Sequence, residues 1–180
     1  MQKITISGFG GQGVLSLGKF ISYSAIEQNL NTSWLPSYGP EMRGGTANCS
    51  VIYAAEEIAA PVIDQADILI AFNEPSLDKF EKTVKEGGII ITNSDIVKKA
   101  TTRKDVKFYQ IPVDTLAAAI NKRGANVYML GVLLPIFNGD ISEEAAIHAV
   151  EHVFESKPKV IPSNIECLKA GIAYMKDLLK

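Results

Sequence analysis

The residues best suited to chemistry form a glycine turn near the start of the chain, Gly8-Phe9-Gly10-Gly11-Gln12-Gly13. Residues 3–7 before it alternate in polarity and are rich in β-branched side chains, which predicts a strand. After the turn, apolar residues recur at helical spacing and predict an amphipathic helix: Val14, Leu17, Ile21 and Ala25. A glycine turn between strand and helix lets the backbone approach a ligand, and the free N–H groups at the helix start favour an anion such as phosphate.

The same turn resembles two nucleotide-binding patterns without satisfying either. Gly8, Gly10 and Gly13 match G-x-G-x-x-G, but a dinucleotide site expects an acid about 20 residues later, at the end of the second strand. The predicted second strand, residues 32–35, is followed by Pro36-Ser37-Tyr38. Gly13 to Lys19 spells G-x-x-x-x-G-K, but Phe20 stands where a magnesium-binding Ser or Thr belongs. The pattern therefore predicts a turn that can bind a phosphate. The alternative is a turn that binds no ligand and only lets the helix pack on the strand.

Polar residues follow two further predicted strands. Tyr38, Glu41 and Arg43 lie in a loop whose Gly-Pro and Gly-Gly pairs exclude regular structure. Asn73 follows the apolar run 66–72, which is typical of a central parallel strand. If the first two strands are parallel neighbours, these loops and the glycine turn meet beyond the carboxyl edge of the sheet, where open α/β sheets bind ligands. The candidate binding residues are Gly8, Gly10, Gly11, Gln12, Gly13, Tyr38, Glu41, Arg43 and Asn73.

No self-contained catalytic or metal site is predicted. His148-Ala149-Val150-Glu151-His152 fits H-x-x-E-H, but a zinc site needs a third ligand and a cleft, so a solvated helix face is the favoured interpretation. The chain has no G-x-S-x-G motif, and both histidines fall on that one helix. Cys49 and Cys167 are too few for an iron–sulfur ligand set and are predicted to be buried thiols. We expect no catalytic residue and no metal ligand.

Composition indicates an ordinary globular chain. It has 180 residues, 47% apolar and 21% charged, with a net charge of −2. This length suits one domain over residues 1–180. No basic block suggests nucleic acid, no apolar run reaches the length of a membrane span, and no signal peptide precedes the first strand, so a cytoplasmic location is expected.

The predicted fold class is α/β, an open, mostly parallel Rossmann-like sheet of five or six strands flanked by helices, with a helical C-terminal third. Strand 46–53 follows its neighbour without a helix and is expected to pair antiparallel or lie at an edge. A helix opening at Pro75 is predicted to end at Gly87-Gly88. Residues 127–134 are apolar all round, which predicts a buried helix or a subunit contact. Pro158 and Pro162 are predicted to precede a final helix over 165–179.

Two motifs together resemble a known family. They are Gly8–Val14 and Trp34-Leu35-Pro36-Ser37-Tyr38-Gly39-Pro40-Glu41-Met42-Arg43-Gly44-Gly45-Thr46-Ala47-Asn48. Their order and spacing resemble those in the gamma subunit of 2-oxoacid:ferredoxin oxidoreductases. The resemblance covers essentially the whole chain. The second motif is more similar to the 2-oxoglutarate type than to the pyruvate type. The branched-chain type stays open, and the beta subunit of indolepyruvate oxidoreductase is a related protein.

The resemblance implies a role in a larger complex. Such enzymes convert a 2-oxoacid and coenzyme A (CoA) to acyl-CoA and carbon dioxide and pass electrons to ferredoxin. Thiamine diphosphate and iron–sulfur clusters would lie on partner subunits, namely alpha and beta, with delta left open. CoA would bind at the edge of this chain. Three interpretations remain: a CoA-binding subunit, a purely structural assembly subunit, and a free-standing nucleotide-binding oxidoreductase. The apolar stretch 128–134 and the final helix also suggest self-association.

Overall fold

The structure, a computed structural model, describes residues 1–38 and 46–180, and of Tyr38 only the backbone. Glu41 and Arg43 therefore lie outside the described residues. The strands are β1 (Gln2–Phe9), β2 (Asn31–Tyr38), β3 (Thr46–Ala54), β4 (Ala66–Ala71), β5 (Val84–Asn93) and β6 (Lys107–Ile111). The helices are α1 (Val14–Glu27), α2 (Glu74–Phe80), α3 (Val113–Ala118), α4 (Ala125–Ile136), α5 (Glu143–Val153) and α6 (Ile161–Leu178).

The strands form one six-stranded sheet in the order β2-β3-β1-β4-β5-β6. β1, β4, β5 and β6 pair in parallel, whereas β3 is antiparallel to both β1 and β2. β2 consequently runs in the same direction as β1, and five of the six strands share one direction. The prediction of a mostly parallel open sheet with flanking helices is confirmed.

Alternating side chains divide the core between the two faces of the sheet. On β4, Ile68 and Ile70 belong to the larger core, which also contains residues of α1, α3, α4, α5 and α6. Leu69 and Ala71 point the other way, into a smaller core completed by Leu77 of α2. Because both faces of β4 are buried beyond Asp67, its residues 68–71 are all apolar rather than alternating in polarity.

One expectation about the sheet is wrong. The first two strands are not neighbours, because β3 lies between them and pairs with each. The antiparallel alternative for residues 46–53 is confirmed, and β2 rather than β3 lies at that edge of the sheet. β1 and β2 still end at the same edge, since Gly8 and Tyr38 both pair with Ala47 of β3.

Two predicted element boundaries are also wrong. α2 ends at Phe80 and a short 3₁₀ turn, Glu81–Thr83, leads directly into β5, so Gly87 and Gly88 lie within a strand rather than after a helix. Pro162 lies in the first turn of α6 instead of preceding the helix. Proline suits that position because its missing N–H would have no helical partner there.

The last third of the chain is helical, as predicted. α4 is buried along its length and α6 packs against it. The contacts pair Gly124 with Cys167 at one end and Leu134 with Ile172 and Lys176 at the other, so the two helices run parallel. Residues 127–134 are thus core within the chain, which decides between the two predicted roles of that stretch. Among the described residues, no helix has both the length and the apolarity needed to cross a membrane.

Candidate functional site

The glycine turn connects β1 to α1 and is closed by a hydrogen bond from the Gln12 N–H to the Phe9 carbonyl oxygen at 3.2 Å. Gly11 and Gly13 have φ values of 98° and 76°. Side chains with a Cβ rarely adopt these angles, so the turn requires glycine at both positions. Gly10, which lies between Phe9 and Gly11 in the sequence, is half-buried.

The side chain of Gln12 fixes the turn from inside. Its Oε1 accepts hydrogen bonds from the Phe9 N–H at 2.6 Å and from Nδ2 of Asn73 at 3.3 Å. Its Nε2 donates to the Phe72 carbonyl oxygen at 3.2 Å. One carboxamide therefore ties the end of β1 to the end of β4, a bridge that no local sequence pattern predicts.

Asn73 caps α2 and is almost fully buried, with 1% of its surface exposed. Its Oδ1 accepts from the Ser76 N–H at 2.9 Å, as the N-cap residue of a helix usually does. Because Nδ2 is bound to Gln12, both polar atoms of Asn73 already have partners within the chain. The structure brings Asn73 to the turn, as predicted, in a position that holds the turn in shape. Contact of Asn73 with a ligand stays a prediction.

Three glycines of the turn, Gly8, Gly11 and Gly13, have different neighbours. A Cβ on Gly8 would lie 2.6 Å from Oε1 of Gln12, so this glycine makes room for the internal bridge. A Cβ on Gly13 would lie 2.9 Å from the Cβ of Asn126. A Cβ on Gly11 would have no atom of residues 1–38 or 46–180 within 4 Å. Of these three, only Gly11 presents backbone to open space.

Two helix starts meet beside this open position. α1 begins after Gly13 and α4 after Gly124, and because both N-cap residues are glycines, neither helix has an N-cap side chain. Asn126, in the first turn of α4, lies against Gly13, and its Oδ1 accepts from the Val127 N–H at 2.9 Å. Sequence analysis missed Asn126, because no local pattern shows which helix lies against the turn. Uncapped helix starts carry partial positive charge and favour an anion.

The other predicted residues are placed as follows. The backbone of Tyr38 ends β2 at the same edge of the sheet as the glycine turn, with β3 between them. The proposed roles of Glu41 and Arg43 fall outside the described residues. The structure thus assembles the turn with Asn73 and adds Asn126.

The two histidines of the H-x-x-E-H pattern lie on α5 and contact side chains of α1. Nδ1 of His148 lies 3.2 Å from Oε2 of Glu27, and the His152 ring packs edge-on against Tyr23 with 4.5 Å between ring centres. Within residues 1–38 and 46–180, no three His, Cys, Asp or Glu side chains come together as a metal site.

The two cysteines are free and buried, as predicted. Burial raises the pKa of Cys49 to about 12, and burial also raises the pKa of Cys167. An iron–sulfur cluster held by cysteines needs about four thiolate ligands, and the two buried cysteines of this chain do not make up such a set.

Known proteins match this chain over nearly its whole length. A family model described as pyruvate ferredoxin/flavodoxin oxidoreductase matches residues 3–174. The chain is 37% identical to ketoisovalerate oxidoreductase subunit VorA of Methanothermobacter marburgensis, covering 99% of this chain and 37% of that protein. It is 32% identical to 2-oxoglutarate synthase subunit KorC of Methanocaldococcus jannaschii, covering 98% of this chain and 95% of KorC. The chain spans little more than a third of VorA but nearly all of KorC.

Solved structures agree with the fold. The 2-oxoglutarate:ferredoxin oxidoreductase of Magnetococcus marinus, with 2-oxoglutarate, coenzyme A and succinyl-CoA bound, superposes with a TM-score of 0.87 at 26% identity. The match covers 98% of this chain and 31% of that one. A keto/oxoacid ferredoxin oxidoreductase gamma subunit from Geobacter sulfurreducens gives a TM-score of 0.80 at 27% identity, covering 98% and 99% of the two chains.

Proposed function

This chain belongs to the pyruvate ferredoxin/flavodoxin oxidoreductase family, and from that premise we propose that it works as the gamma-type subunit of a 2-oxoacid:ferredoxin oxidoreductase. In that complex a 2-oxoacid and CoA yield acyl-CoA and carbon dioxide while ferredoxin is reduced. Partner subunits, alpha and beta at least, supply thiamine diphosphate and the iron–sulfur clusters. The full-length similarity to KorC and the gamma subunit of Geobacter sulfurreducens supports this role.

We propose that the glycine turn receives a phosphate of CoA. The observation that carries this proposal is the exposed backbone at Gly11, which faces open space beside two uncapped helix starts. Among the described residues, no N-cap side chain occupies the first N–H groups of α1, and such oriented N–H groups suit a phosphate oxygen. Gln12 and Asn73 keep the turn in this shape before any ligand arrives, so binding would cost little conformational entropy. From sequence alone, Tyr38, Glu41 and Arg43 are proposed to complete the site, with Arg43 on a phosphate.

The 2-oxoacid is proposed to be 2-oxoglutarate. The support is the correspondence with KorC over almost its whole length, whereas VorA has higher identity over 37% of its own length. Ferredoxin reduction by the reconstituted complex, measured separately with 2-oxoglutarate, 2-oxoisovalerate and pyruvate, tests the choice. A higher kcat/KM with 2-oxoisovalerate would reassign the substrate.

The purely structural assembly subunit is the second candidate function. Gln12 and Asn73 favour it, because they hold the turn through contacts inside the chain and need no ligand to do so. In this case the exposed Gly11 backbone would remain in water, and CoA would be bound entirely by other subunits.

A pair of glycine substitutions separates the two functions. Gly11→Ala and Gly87→Ala both place a Cβ in open space at positive φ, 98° and 73°. They should lower the thermal stability similarly through backbone strain, by about 1 kcal/mol each. Only Gly11→Ala should raise the KM for CoA, measured in the reconstituted complex at saturating 2-oxoacid. An unchanged KM in both variants would remove CoA from this turn and leave the structural role.

A further inference from the structure

The end of the molecule opposite the glycine turn contains an apolar groove. It has a volume of about 360 Å³ and lies between the end of α4, the start of α5 and the last turns of α6. Leu134, Pro135, Ile141 and Ile172 supply its apolar lining. Lys176 and Glu143 are exposed at its rim and carry opposite charges. The groove therefore suits an apolar side chain flanked by charged residues.

This groove belongs to the end of the sheet from which the five co-directional strands begin, called here the amino end. Gln2 at the start of β1 pairs with Tyr53, and the Tyr53 hydroxyl donates to Oδ2 of Asp140 at 3.2 Å. Asp140 adjoins Gly139, which lines the groove together with Lys176. Both chain termini consequently lie at the amino end, since Met1 precedes Gln2 and Lys180 lies one helical turn beyond Lys176.

Exposed apolar side chains are concentrated at the same end. Among the described residues, eight large apolar side chains are exposed, and five lie at the amino end: Met1, Ile26, Val62, Leu178 and Leu179. Ile26 is in the last turn of α1, and Val62 connects the end of β3 to the start of β4. Ile172 and Lys176 share one face of α6, and Leu179, which follows the helix directly, continues that face, so an exposed leucine lies next to the groove. Grouped apolar surface of this kind marks a protein contact.

The lengths of the relatives indicate what covers this surface. The part of VorA that matches this chain is 37% of that protein, whereas KorC is matched over 95% of its length. In VorA the equivalent domain is therefore continuous with a larger polypeptide, attached at one or both of its termini. In this fold both termini are at the amino end, so the attached polypeptide leaves the domain beside the groove.

We propose that the amino end docks a partner subunit of the oxidoreductase complex, the counterpart of the polypeptide fused to this domain in VorA. The partner inserts an apolar side chain against Ile172 and Leu134, with an acidic group near Lys176 and a basic group near Glu143. This inference rests on the proposed function, because it requires a multi-subunit complex. It leaves the glycine turn at the opposite end free for its ligand.

Paired tryptophan substitutions test the groove. Lys176→Trp places an indole across its mouth. Lys169→Trp is the matched control, because Lys169 is exposed two turns earlier on the same face of α6 and lies outside the groove lining. Each full-length variant is co-expressed with the partner subunits that copurify with the unmodified chain, and the dissociation constant is measured by titration. We expect Lys176→Trp to weaken association at least about tenfold and Lys169→Trp to leave it unchanged.

A second matched pair tests the exposed leucine without altering the groove. Leu179 and Leu35 are 47% and 44% exposed, but Leu35 lies on edge strand β2, away from the amino end. Leu179→Ser should weaken association severalfold, and Leu35→Ser should not. Circular dichroism of every variant verifies that it is folded. Weakened association can then not be attributed to unfolding of the variant.

Each outcome has one meaning. Unchanged association in both Lys176→Trp and Leu179→Ser overturns the docking proposal and leaves the proposed function standing. A folded, unmodified chain that binds no partner subunit contradicts the proposed function and the docking proposal with it. A homodimer of the isolated chain that Lys176→Trp dissociates would assign the groove to a second copy and overturn the proposed occupant.

Discussion

Gly131 of α4 and Gly171 of α6 lie face to face where the two parallel helices touch. A Cβ on Gly131 would lie 2.1 Å from the Leu168 carbonyl oxygen, and one on Gly171 would lie 2.2 Å from the Tyr128 carbonyl oxygen. The helices approach so closely that the backbone of each occupies the space a side chain would take on the other. This contact joins the buried helix α4 to α6 and positions the start of α4 beside the glycine turn.

Gly171→Ala should therefore destabilise the protein. Helix propensity alone favours alanine over glycine by about 1 kcal/mol, but here the added methyl meets a fixed carbonyl. We expect the free energy of unfolding to fall by at least about 2 kcal/mol, as for other overpacked sites. Urea unfolding measures the change.

Ala173→Gly, on the exposed side of the same helix, is the control for propensity and should cost about 1 kcal/mol. An increase in stability for Gly171→Ala would show that propensity outweighs the steric contact, and the close approach of α4 and α6 would have to be abandoned.

Gln12→Ala should destabilise the chain and impair the glycine turn. The substitution removes three hydrogen bonds and leaves the Phe9 N–H without its partner. We expect a loss of about 1–3 kcal/mol in the free energy of unfolding. The KM for CoA should also rise in the reconstituted complex, because the turn loses its internal support.

Gln28→Ala is the matched control for Gln12. Its Oε1 accepts a single hydrogen bond at the exposed Ser142 N–H, 3.1 Å away and at the far end of α1. We expect a cost within about 1 kcal/mol and no change in KM. Equal effects of the two variants would contradict a special role of Gln12 in the turn.

Asn126→Asp should separate ligand binding from stability. A carboxylate in the first turn of α4 interacts favourably with that helix and with the adjacent start of α1, so stability should be kept or raised. The same charge would repel an incoming phosphate. The KM for CoA should therefore rise at least about tenfold, equivalent to about 1.4 kcal/mol.

The same substitution at the other end of α1, Asn29→Asp, provides the comparison. Asn29 is exposed just after the helix, so the added charge should lower stability slightly and leave the KM for CoA unchanged. An unchanged KM in Asn126→Asp would argue against a phosphate at the paired helix starts.

Cys49 should make the protein less stable in alkaline solution. Burial raises the pKa of the folded thiol to about 12, whereas an exposed thiol in the unfolded chain has a pKa near 8.5. The protonated thiol is thus favoured by folding. Its contribution is fully present below about pH 8.5 and declines by up to about 1.4 kcal/mol per pH unit above it.

Urea unfolding between pH 7 and 10 should show this decline, and Cys49→Ser should make it shallower because the hydroxyl does not titrate there. Identical pH slopes for the two proteins would contradict the buried, protonated state of Cys49. Alkylation at pH 8 should label both cysteines only after unfolding.

The sequence by itself determined the local elements and the nature of the glycine turn. The strand predicted at residues 3–7 lies within β1, and the helix predicted from Val14 to Ala25 lies within α1. Such features depend on the backbone preferences and the periodicity of adjacent residues. Both can be recognised in the sequence without knowing which elements pack against each other across the core. The same local information overextended α2 to Gly87, because a strand pairing beginning at Val84 competes with the apolar helical spacing.

Only the tertiary structure decided what surrounds each element. β3 separates β1 from β2 through pairings with both strands, Asn126 reaches Gly13 from more than a hundred residues away, and Gln12 turns inward to β4 rather than outward. The amino-end groove likewise forms from three helices that share no sequence motif. These relationships arise from packing between segments that are distant in the sequence. Segments with similar local preferences can pack against different neighbours, so local patterns do not predict these contacts. The glycine pattern therefore predicted a place for a ligand, and the packing around Gly8, Gly11 and Gly13 left one exposed position among those three where a ligand can approach.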